Sequence, residues 1–497
     1  MKKVDALFVH ANAAAKVYQD LSKDLSAIEQ PIWAALLANS ARCAGFDVDI
    51  LDCEAERLDA ASSARKIESY RARLIVIVVY GQQPSASTQN MQGVRELLTE
   101  LSTDTKTLLV GLHPSALPRQ TMELEDVDFV CQGEGPRTIN PLLACHDLNS
   151  MTELSDIPGL WYRNNNEIDF NTPARLIQQK DLSSELPGMA WDLLPMEKYR
   201  TSNWHAMSNG GKRTKFASLY TSLGCPFKCN FCCINAPFRD GTGISKINAF
   251  RFWNVDDMMS EFDKLHEMGI ENVKIADEMF VMNKRHFLEL CNSIIDRGYK
   301  FNIWAYARID TVKEEYLETL KKAGVNWLAL GIESGNIDVR RDVTKGSFVN
   351  TDVRSLVKKI QESGINVIGN YIFGLPEDDI ESMRQTLDLS KDLQCEFSNF
   401  YCAMAYPGSE LYTESSRLGW VLPSSYDGYS QHSYEMRPLD TKKITAEDVV
   451  RFRDNAFHEY YEDPAYLKFI ESKFGKSARQ EIEKMTKIRL RRRILGD

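Results

Sequence analysis

Apolar residues over the first 140 positions fall into short runs, separated by stretches in which they recur every three or four places. Residues 4–10, 47–53, 73–80, 107–111 and 127–131 are runs of strand length. Residues 31–45 and 85–101 have helical spacing, with Ile32, Leu36, Ser40 and Cys43 on one stripe of the first. Repeated strand–helix units predict a parallel sheet with helices on both faces. Such sheets take ligands at the carboxyl ends of their strands. The segments at those ends are Val9-His10-Ala11-Asn12, Tyr80-Gly81-Gln82-Gln83-Pro84-Ser85, Gly111-Leu112-His113-Pro114-Ser115 and Gln132-Gly133-Glu134-Gly135. Their glycines admit a ligand close to the backbone, and the small polar residues offer hydrogen bonds. No G-x-G-x-x-G follows the first strand, which removes a dinucleotide fingerprint.

The pattern then breaks. Residues 157–163 and 167–170 flank Asn164-Asn165-Asn166, a hairpin signal, and Leu186-Pro187-Gly188 and Leu194-Pro195 punctuate an irregular crossing. Strand–helix alternation resumes with strands at 215–223, 272–280, 301–309, 327–334, 366–373 and 396–405. Helices are expected at 255–268, 284–297 and 314–323. The last region reads as helical. Thr445 caps a helix to residue 462 with Val449, Phe452, Ala456 and Tyr460 as its apolar stripe, Pro464 ends it, and two shorter helices follow.

Composition narrows the class. The chain has 497 residues, room for about three domains. Lys and Arg total 60 against 70 acids, a net charge of −10. That balance argues against a nucleic-acid or anionic-membrane partner. No apolar run approaches the roughly 20 residues of a membrane span, and the four-residue run after Lys2 and Lys3 is too short for a signal peptide. The expected compartment is the reducing cytoplasm.

The chemistry is concentrated in Ser222-Leu223-Gly224-Cys225-Pro226-Phe227-Lys228-Cys229-Asn230-Phe231-Cys232-Cys233. The C-x3-C-x2-C triplet of Cys225, Cys229 and Cys232 puts three thiolates within eight residues, and Gly224, Pro226 and Asn230 favour a loop over a helix. Three ligands are one short of the four that usually hold an iron–sulfur cluster, and a zinc site would likewise want a fourth ligand nearby; a three-cysteine cluster would leave one iron open to a substrate. Cys233 points elsewhere and reads as structural.

This loop resembles the signature of radical S-adenosylmethionine (SAM) enzymes. The resemblance implies a [4Fe–4S] cluster whose fourth iron chelates SAM, and a six-stranded partial (β/α) barrel with its active site at the strands' carboxyl ends. Residues there match in order. Ala276-Asp277-Glu278 ends the second strand, where Glu278 would face the SAM ammonium. Arg308 ends the third and would pair with the SAM carboxylate. Gly331-Ile332-Glu333-Ser334-Gly335 ends the fourth, with Glu333 and Ser334 toward the ribose. Asn370 lies in the segment that resembles the adenine contact.

Upstream, the resemblance narrows to cobalamin-binding radical SAM enzymes. It rests on Pro31-Ile32-Trp33-Ala34-Ala35-Leu36-Leu37, on Gly111 with His113-Pro114, on Gly133-Glu134-Gly135 and on Ala190-Trp191-Asp192-Leu193-Leu194-Pro195. It implies an α/β fold: a doubly wound (Rossmann-like) cobalamin-binding domain at 1–148, a connector at 149–212, the barrel at 213–415 and a C-terminal helical cap at 416–497. Asn12, Gln82, Ser85, Gly111, His113, Gly133 and Glu134 are the expected cobalamin contacts. The D-x-H-x-x-G of histidine-ligated cobalamin is absent. His10 occupies its place, between Phe8 and Ala13 where the motif has other residues, and reads first as a strand-end residue. Tyr426, Tyr429, His432 and Tyr434 are expected to line the substrate pocket. The basic tail (Lys484, Lys487, Arg489, Arg491, Arg492, Arg493) reads as a solvated helix end or, alternatively, as a rim for an anionic substrate.

The implied activity is a methyltransferase. A 5′-deoxyadenosyl radical takes hydrogen from an unactivated carbon of a small-molecule substrate, and methylcobalamin supplies the methyl group. A ferredoxin- or flavodoxin-type protein would donate the electron. The alternatives are a cyclase or rearrangement enzyme of the same architecture and, from another class, a cobalamin or iron–sulfur sensor. Methylthio transfer lacks an upstream cysteine triplet, since Cys43, Cys53, Cys131 and Cys145 are scattered. No side chain is singled out as catalytic. Anaerobically purified protein is expected to carry about four irons and about one cobalt per chain; iron without cobalt would remove the cobalamin half of this reading.

Overall fold

The computed structural model describes residues 2–497 except 82, 84, 166, 210–212, 239–248 and 344–350, and omits the side chains of residues 24, 208 and 209. The first sheet contains β1 (Lys3–His10), β2 (Val48–Asp52), β3 (Arg71–Val79), β4 (Lys106–Gly111), β5 (Phe129–Cys131), β6 (Leu160–Asn164) and β7 (Glu167–Phe170) in the order β2-β1-β3-β4-β5-β6-β7. The first five strands are parallel, and each is buried on both faces over most of its length. The expected hairpin is present, but it belongs to this sheet: β6 pairs antiparallel with β5, and β7 closes the edge. The order 2-1-3-4-5 reverses direction between β1 and β3, which makes that point the ligand crevice of a doubly wound sheet.

The second sheet contains β8 (Phe216–Leu219), β11 (Asn272–Ile275), β12 (Asn302–Arg308), β13 (Val325–Glu333), β14 (Asn366–Phe373) and β15 (Phe397–Cys402), all parallel, in the order β15-β14-β13-β12-β11-β8. Two short strands, β9 (Ser222–Leu223) and β10 (Arg251–Phe252), pair separately. Helices Val255–Glu267, Lys284–Asp296, Glu314–Lys322, Val353–Glu362 and Ile380–Leu393 cover its outer side with amphipathic faces. The expected strand at 215–223 is divided. At Thr221 the backbone N–H leaves the ladder and donates to the Asp277 carboxylate (2.6 Å), so β9 turns away to pair with β10.

Both edges of this open sheet are closed by side chains. On the β8 edge, Gln30 donates from Nε2 to the Phe216 carbonyl (2.7 Å) and accepts the Ser218 N–H at Oε1 (2.9 Å), with no exposed surface of its own. On the β15 edge, helices Ala446–Tyr461 and Pro464–Phe474 supply the partners. Tyr466 donates to the Glu396 carbonyl (2.9 Å). Tyr461 accepts the Ser398 N–H (2.9 Å) and donates to its carbonyl (2.6 Å). Arg453 donates to the Phe400 carbonyl (2.8 Å), and Gln431 brackets Cys402 through its N–H (2.8 Å) and carbonyl (3.0 Å). Unpaired backbone groups at a buried edge are costly, and edges are where sheets recruit foreign strands.

One residue of the basic tail differs from expectation. Arg492 is 1% exposed, its guanidinium paired with Asp454 (3.1 Å) and donating to the Ser433 carbonyl (3.1 Å), while Arg493 pairs with Glu435 (2.8 Å). The helix that precedes it ends at Met485. Arg492 is thus an internal anchor of the cap, whereas Arg491 and Arg493 are exposed and Arg489 lines the cavity beside His432. Gln30→Leu strands a buried carbonyl and a buried N–H, a loss of about 2 kcal/mol. We expect faster hydrogen exchange at the Ser218 amide and a lower Tm, with the β14 amides unchanged.

Candidate active site

Gly224 opens the cysteine loop in the left-handed region (φ 76°), and a Cβ there would lie 2.3 Å from the Ala249 carbonyl oxygen. Beyond it the chain is held by cross-ties. Asn235 accepts the Cys225 N–H (3.3 Å) and donates to its carbonyl (3.0 Å), Cys232 N–H donates to the Cys229 carbonyl (3.2 Å), and Asn230 bonds with Val343 (3.2 Å) and Leu411 (2.8 Å). The thiols are electrostatic neighbours, Cys225 of Cys229 and Cys232 of Cys225. Burial pushes the Cys229 thiol up to about 11 and that of Cys225 to about 12, with Cys232 further still. They are therefore protonated, and a metal must displace those protons to bind. Among the described residues no three ligand-type side chains close on one point. The donor set is three adjacent thiols on an adjustable loop, chemistry that fits an iron–sulfur cluster with one iron left open. Cys233 is buried against Leu112 and Ala236, outside the set.

Asp277 and Glu278 are sequence neighbours with opposite duties. Asp277 is 1% exposed and receives the Thr221 N–H, the Thr221 hydroxyl and the Ser222 hydroxyl, all at 2.6 Å, which fixes the entry to the cysteine loop. Glu278 has no hydrogen-bond or ion-pair partner among the described residues. Its charge is felt at Cys225 and Cys232. Burial raises its carboxyl to about 8, against the pull of the Lys274 ammonium. A half-buried carboxylate without a partner beside the open side of a cluster is suited to receive a cation.

Arg308 pairs with Asp310 through two contacts of 2.6 Å, lays its guanidinium face over Phe227 (3.3 Å) and bonds the Cys229 side chain. It steadies the loop as well as offering charge. Glu333 sits at φ 64°, rare for a residue with a side chain, where the β13–β14 register shifts. Gly331 makes room for it, since a Cβ there would lie 2.6 Å from Glu333 Oε1. Burial raises the Glu333 carboxyl to about 7, with Arg308 opposing. A strained, desolvated carboxylate at a strand end marks a binding position. Ser334 differs from expectation: it is fully buried, its hydroxyl bonded to Thr386 (3.1 Å) and to the Asn336 N–H (3.1 Å), so it anchors the turn. Asn370 lies in the barrel lumen, bonded to Asn399 (2.9 Å).

The first sheet redistributes the expected contacts. His10, Tyr80 and Gly81, at the ends of β1 and β3, line a cavity of about 260 Å³ that continues into the lumen beside Lys274, Tyr306 and Tyr401. A second cavity of about 370 Å³ shares Tyr18, Gln83, Trp204 and Tyr401 with it and extends past Ser85, Gln89 and His432 to the cap. The Tyr80 hydroxyl is buried without a partner among the described residues, and its ring stacks on Trp33 (4.3 Å). An orphaned hydroxyl on a polar cavity wall fits a large, amide-rich ligand such as cobalamin.

The ends of β4 and β5 lie away from that crevice. His113 is 3% exposed, bonded to Thr88 (3.1 Å) and packed edge-on to Tyr426 (5.3 Å), and burial lowers its imidazole to about 3. Glu134 pairs with Arg251 of β10 (2.8 Å) and accepts the Ile177 N–H (2.7 Å), an inter-domain anchor. Gly111 passes close to β3, where a Cβ would lie 2.2 Å from the Val79 carbonyl oxygen, and the Gly133 backbone bonds Ser115 (3.1 Å). Asn12 ties its own loop to Leu58 (3.0 Å) and Ala14 (3.0 Å). Gln82 lies outside the described residues. Of the cap residues, His432 lines the cavity, whereas Tyr426 donates to Glu125 (2.8 Å), Tyr434 donates to the Asp497 carbonyl (2.9 Å) and Tyr429 is buried. Lys274, Glu29, Gln83 and Tyr401 were not anticipated as site residues. The one legible signal was Lys274, a charge set between Val273 and Ile275 in a strand.

Residues 219–390 match the family model of the radical SAM superfamily, and residues 21–143 match that of the B12 binding domain. The chain thus carries a radical SAM domain with a B12-binding domain ahead of it. An uncharacterized methyltransferase of Pyrococcus horikoshii is 26% identical over 439 residues, covering 88% of this chain and 89% of its own. The anaerobic magnesium-protoporphyrin IX monomethyl ester cyclase of Cereibacter sphaeroides is 21% identical over 471 residues, 93% of this chain and 71% of its own. The radical SAM methyltransferase TsrM from Kitasatospora setae, solved with cobalamin and a [4Fe-4S] cluster, superposes with a TM-score of 0.66 at 18% identity over 98% of this chain and 99% of that one. The cobalamin-dependent radical enzyme OxsB gives 0.63 at 14% identity, over 98% of this chain and 72% of its own. These superpositions establish the fold. Asp277→Ala removes three bonds to a buried carboxylate, about 3 kcal/mol of loop order. We expect markedly lower iron content after anaerobic reconstitution, and Cys229→Ala to lose SAM cleavage while cobalamin absorbance is retained.

Proposed function

We propose that this protein is a cobalamin-dependent radical SAM methyltransferase acting on an unactivated carbon of a small molecule. The observation that carries the reading is the shared cavity: the β1–β3 switch point of the first sheet and the lumen of the barrel open into one space. Two reactive groups can then meet one substrate without passing through water. The domain assignment we adopt is 1–148, 149–212, 213–415 and 416–497, with the connector's hairpin built onto the first sheet.

When bound, the cluster with SAM supplies a carbon-centred radical, and cobalamin supplies the methyl group. The chain's residues hold and shield. Cys225, Cys229 and Cys232 ligate the cluster. Glu278 receives the SAM ammonium, Glu333 its ribose hydroxyls, and Asn370 lies toward the adenine. Arg308 fixes the loop through Phe227 and Cys229 and brings its positive charge to the SAM carboxylate. For cobalamin we propose His10, Tyr80, Gln83 and Asn90 of the smaller cavity and Ser85 and Gln89 of the larger, with Asn12 and Gly111 shaping the loops behind them. A ferredoxin- or flavodoxin-type donor in a reducing cytoplasm completes the proposal.

A second reading is a radical cyclase, favoured by the length of the alignment with the magnesium-protoporphyrin cyclase. Product mass separates them: a gain of one CH2 supports methyl transfer, and an unchanged carbon count overturns it. The Glu278 carboxyl, raised to about 8 in the free protein, must lose its proton to hold the SAM ammonium. The raised value means the neutral acid prevails below about 8. SAM affinity should therefore be level above that pH and fall by about tenfold per unit below it, with a proton released on binding. Calorimetry in two buffers of different ionisation enthalpy checks this, and Glu278→Gln should flatten the dependence.

A further inference from the structure

Lys274 and Glu29 form an ion pair inside the barrel. Lys274 projects from β11 into the lumen, its side chain 2% exposed, and donates to Glu29 Oε2 at 2.9 Å. Its ammonium lies over the faces of Trp304 (4.7 Å) and Tyr306 (5.6 Å). Glu29 comes from the other domain, just ahead of the helix Ile32–Cys43, and its carboxylate also accepts from the Ser218 hydroxyl (3.3 Å). Both residues line the cavity of about 260 Å³. Lys274 sits near the end of β11, four residues before Glu278, so the pair lies close to the expected SAM site.

Stability does not account for this pair. Two apolar side chains of similar volume would close the same gap at no desolvation cost, and replacing buried pairs in that way is often neutral or stabilising. Nor is the pair needed to join the domains, since Gln30 already docks on β8 and Glu134 already meets Arg251. What it adds is a fixed positive and a fixed negative charge, side by side on a cavity wall.

We propose that this pair is the substrate-recognition site and that the substrate is a free α-amino acid with a flat side chain. The inference rests on the methyltransferase reading for what happens to that substrate, though not for its binding. A lone carboxylate or phosphate would be drawn to Lys274 and repelled by Glu29. A lone amine meets the reverse. A zwitterion satisfies both, its carboxylate on Lys274 Nζ and its ammonium on Glu29, in the charge-assisted geometry that survives a dry site. Trp304, Tyr306 and Tyr401 supply aromatic faces for the rest of the molecule. The anionic group anticipated for the substrate thus finds its cation in the lumen, and the tail arginines are not required for it.

The test uses the anaerobic enzyme loaded with cluster and cobalamin, without turnover. The probes are the free L-α-amino acids, each beside its decarboxylated amine and its deaminated acid. Occupancy is read from the emission of the cavity tryptophans Trp204 and Trp304 and confirmed by calorimetry. At least one aromatic amino acid should saturate the signal, with its amine and its acid binding about tenfold more weakly or worse, the loss of one charge-assisted bond. Lys274→Met should abolish that binding, Lys274→Arg should restore part of it, and Glu29→Gln should narrow the gap between amino acid and acid. Equal binding of the amine or the acid, or no binding of any amino acid to the unsubstituted enzyme, overturns the proposal. The panel is read without SAM turnover, so a failure there leaves methyl transfer standing, and an unchanged product mass leaves the binding result standing.

Discussion

An open parallel sheet of six strands has two unpaired edges and a lumen that water can enter. Closing them organises the rest of this molecule. A full eight-stranded barrel satisfies its edges with its own backbone, whereas here other parts of the chain must do so. Gln30 stands in for a missing strand beside β8, offering one acceptor and one donor at the spacing of a ladder. Tyr466, Tyr461, Arg453 and Gln431 do the same along β15, one alternate residue after another. Both sets are buried, so each bond is worth more than it would be in water, and each omission would cost more. The domain order follows: the first domain is docked by the β8 edge and the helical cap by the β15 edge.

That docking shapes the site. The segment carrying Glu29 and Gln30 is pulled against β8, which swings the ends of β1 and β3 over the lumen. The β1–β3 switch point and the barrel mouth then face each other across continuous cavities. Burial is useful and costly there. It raises the carboxyls of Glu278 and Glu333 and the three thiols, so the thiols and Glu278 favour their protonated forms before a cofactor arrives. Binding is thereby coupled to proton loss. Asp277 is the contrast. Three donors at 2.6 Å occupy its carboxylate, which serves architecture while its neighbour Glu278 is left for a ligand.

Charges elsewhere in the interior are used as fasteners. Glu134–Arg251 joins the first sheet to the β9–β10 ribbon, and Arg492–Asp454–Arg453 ties the end of the chain to the cap helix and so to β15. Each is hydrogen-bonded as well as paired, which is what keeps buried charge tolerable. Lys274–Glu29 has the same short distance and faces the lumen of the barrel, at its meeting with the first domain.

What could be read along the chain was whatever depends on local spacing. The thiol triplet, the strand and helix alternation and the Thr445 cap each rest on neighbours within a turn or a few residues, and most appear with boundaries shifted by a few positions, although the strands expected at 215–223 and 272–280 leave the sheet early, after Leu219 and Ile275. The acidic and glycine-bearing strand ends were legible for the same reason. Which of those ends meets a ligand was not. Strand order puts the crevice at β1 and β3, so His113 and Glu134 at the ends of β4 and β5 became buried structural groups, although their motifs looked as suggestive as those that reach the cavity. Ser334 looked as ready as Glu333 to contact a sugar, but the backbone turn at φ 64° leaves Glu333 facing the charge of Arg308 and turns Ser334 to Thr386. Lys274 and Glu29 lie 245 residues apart, and nothing local to either announces the other. Spacing along the chain sets which chemistry is available; packing over long separations decides which groups lose water, find a partner or stay open to a ligand.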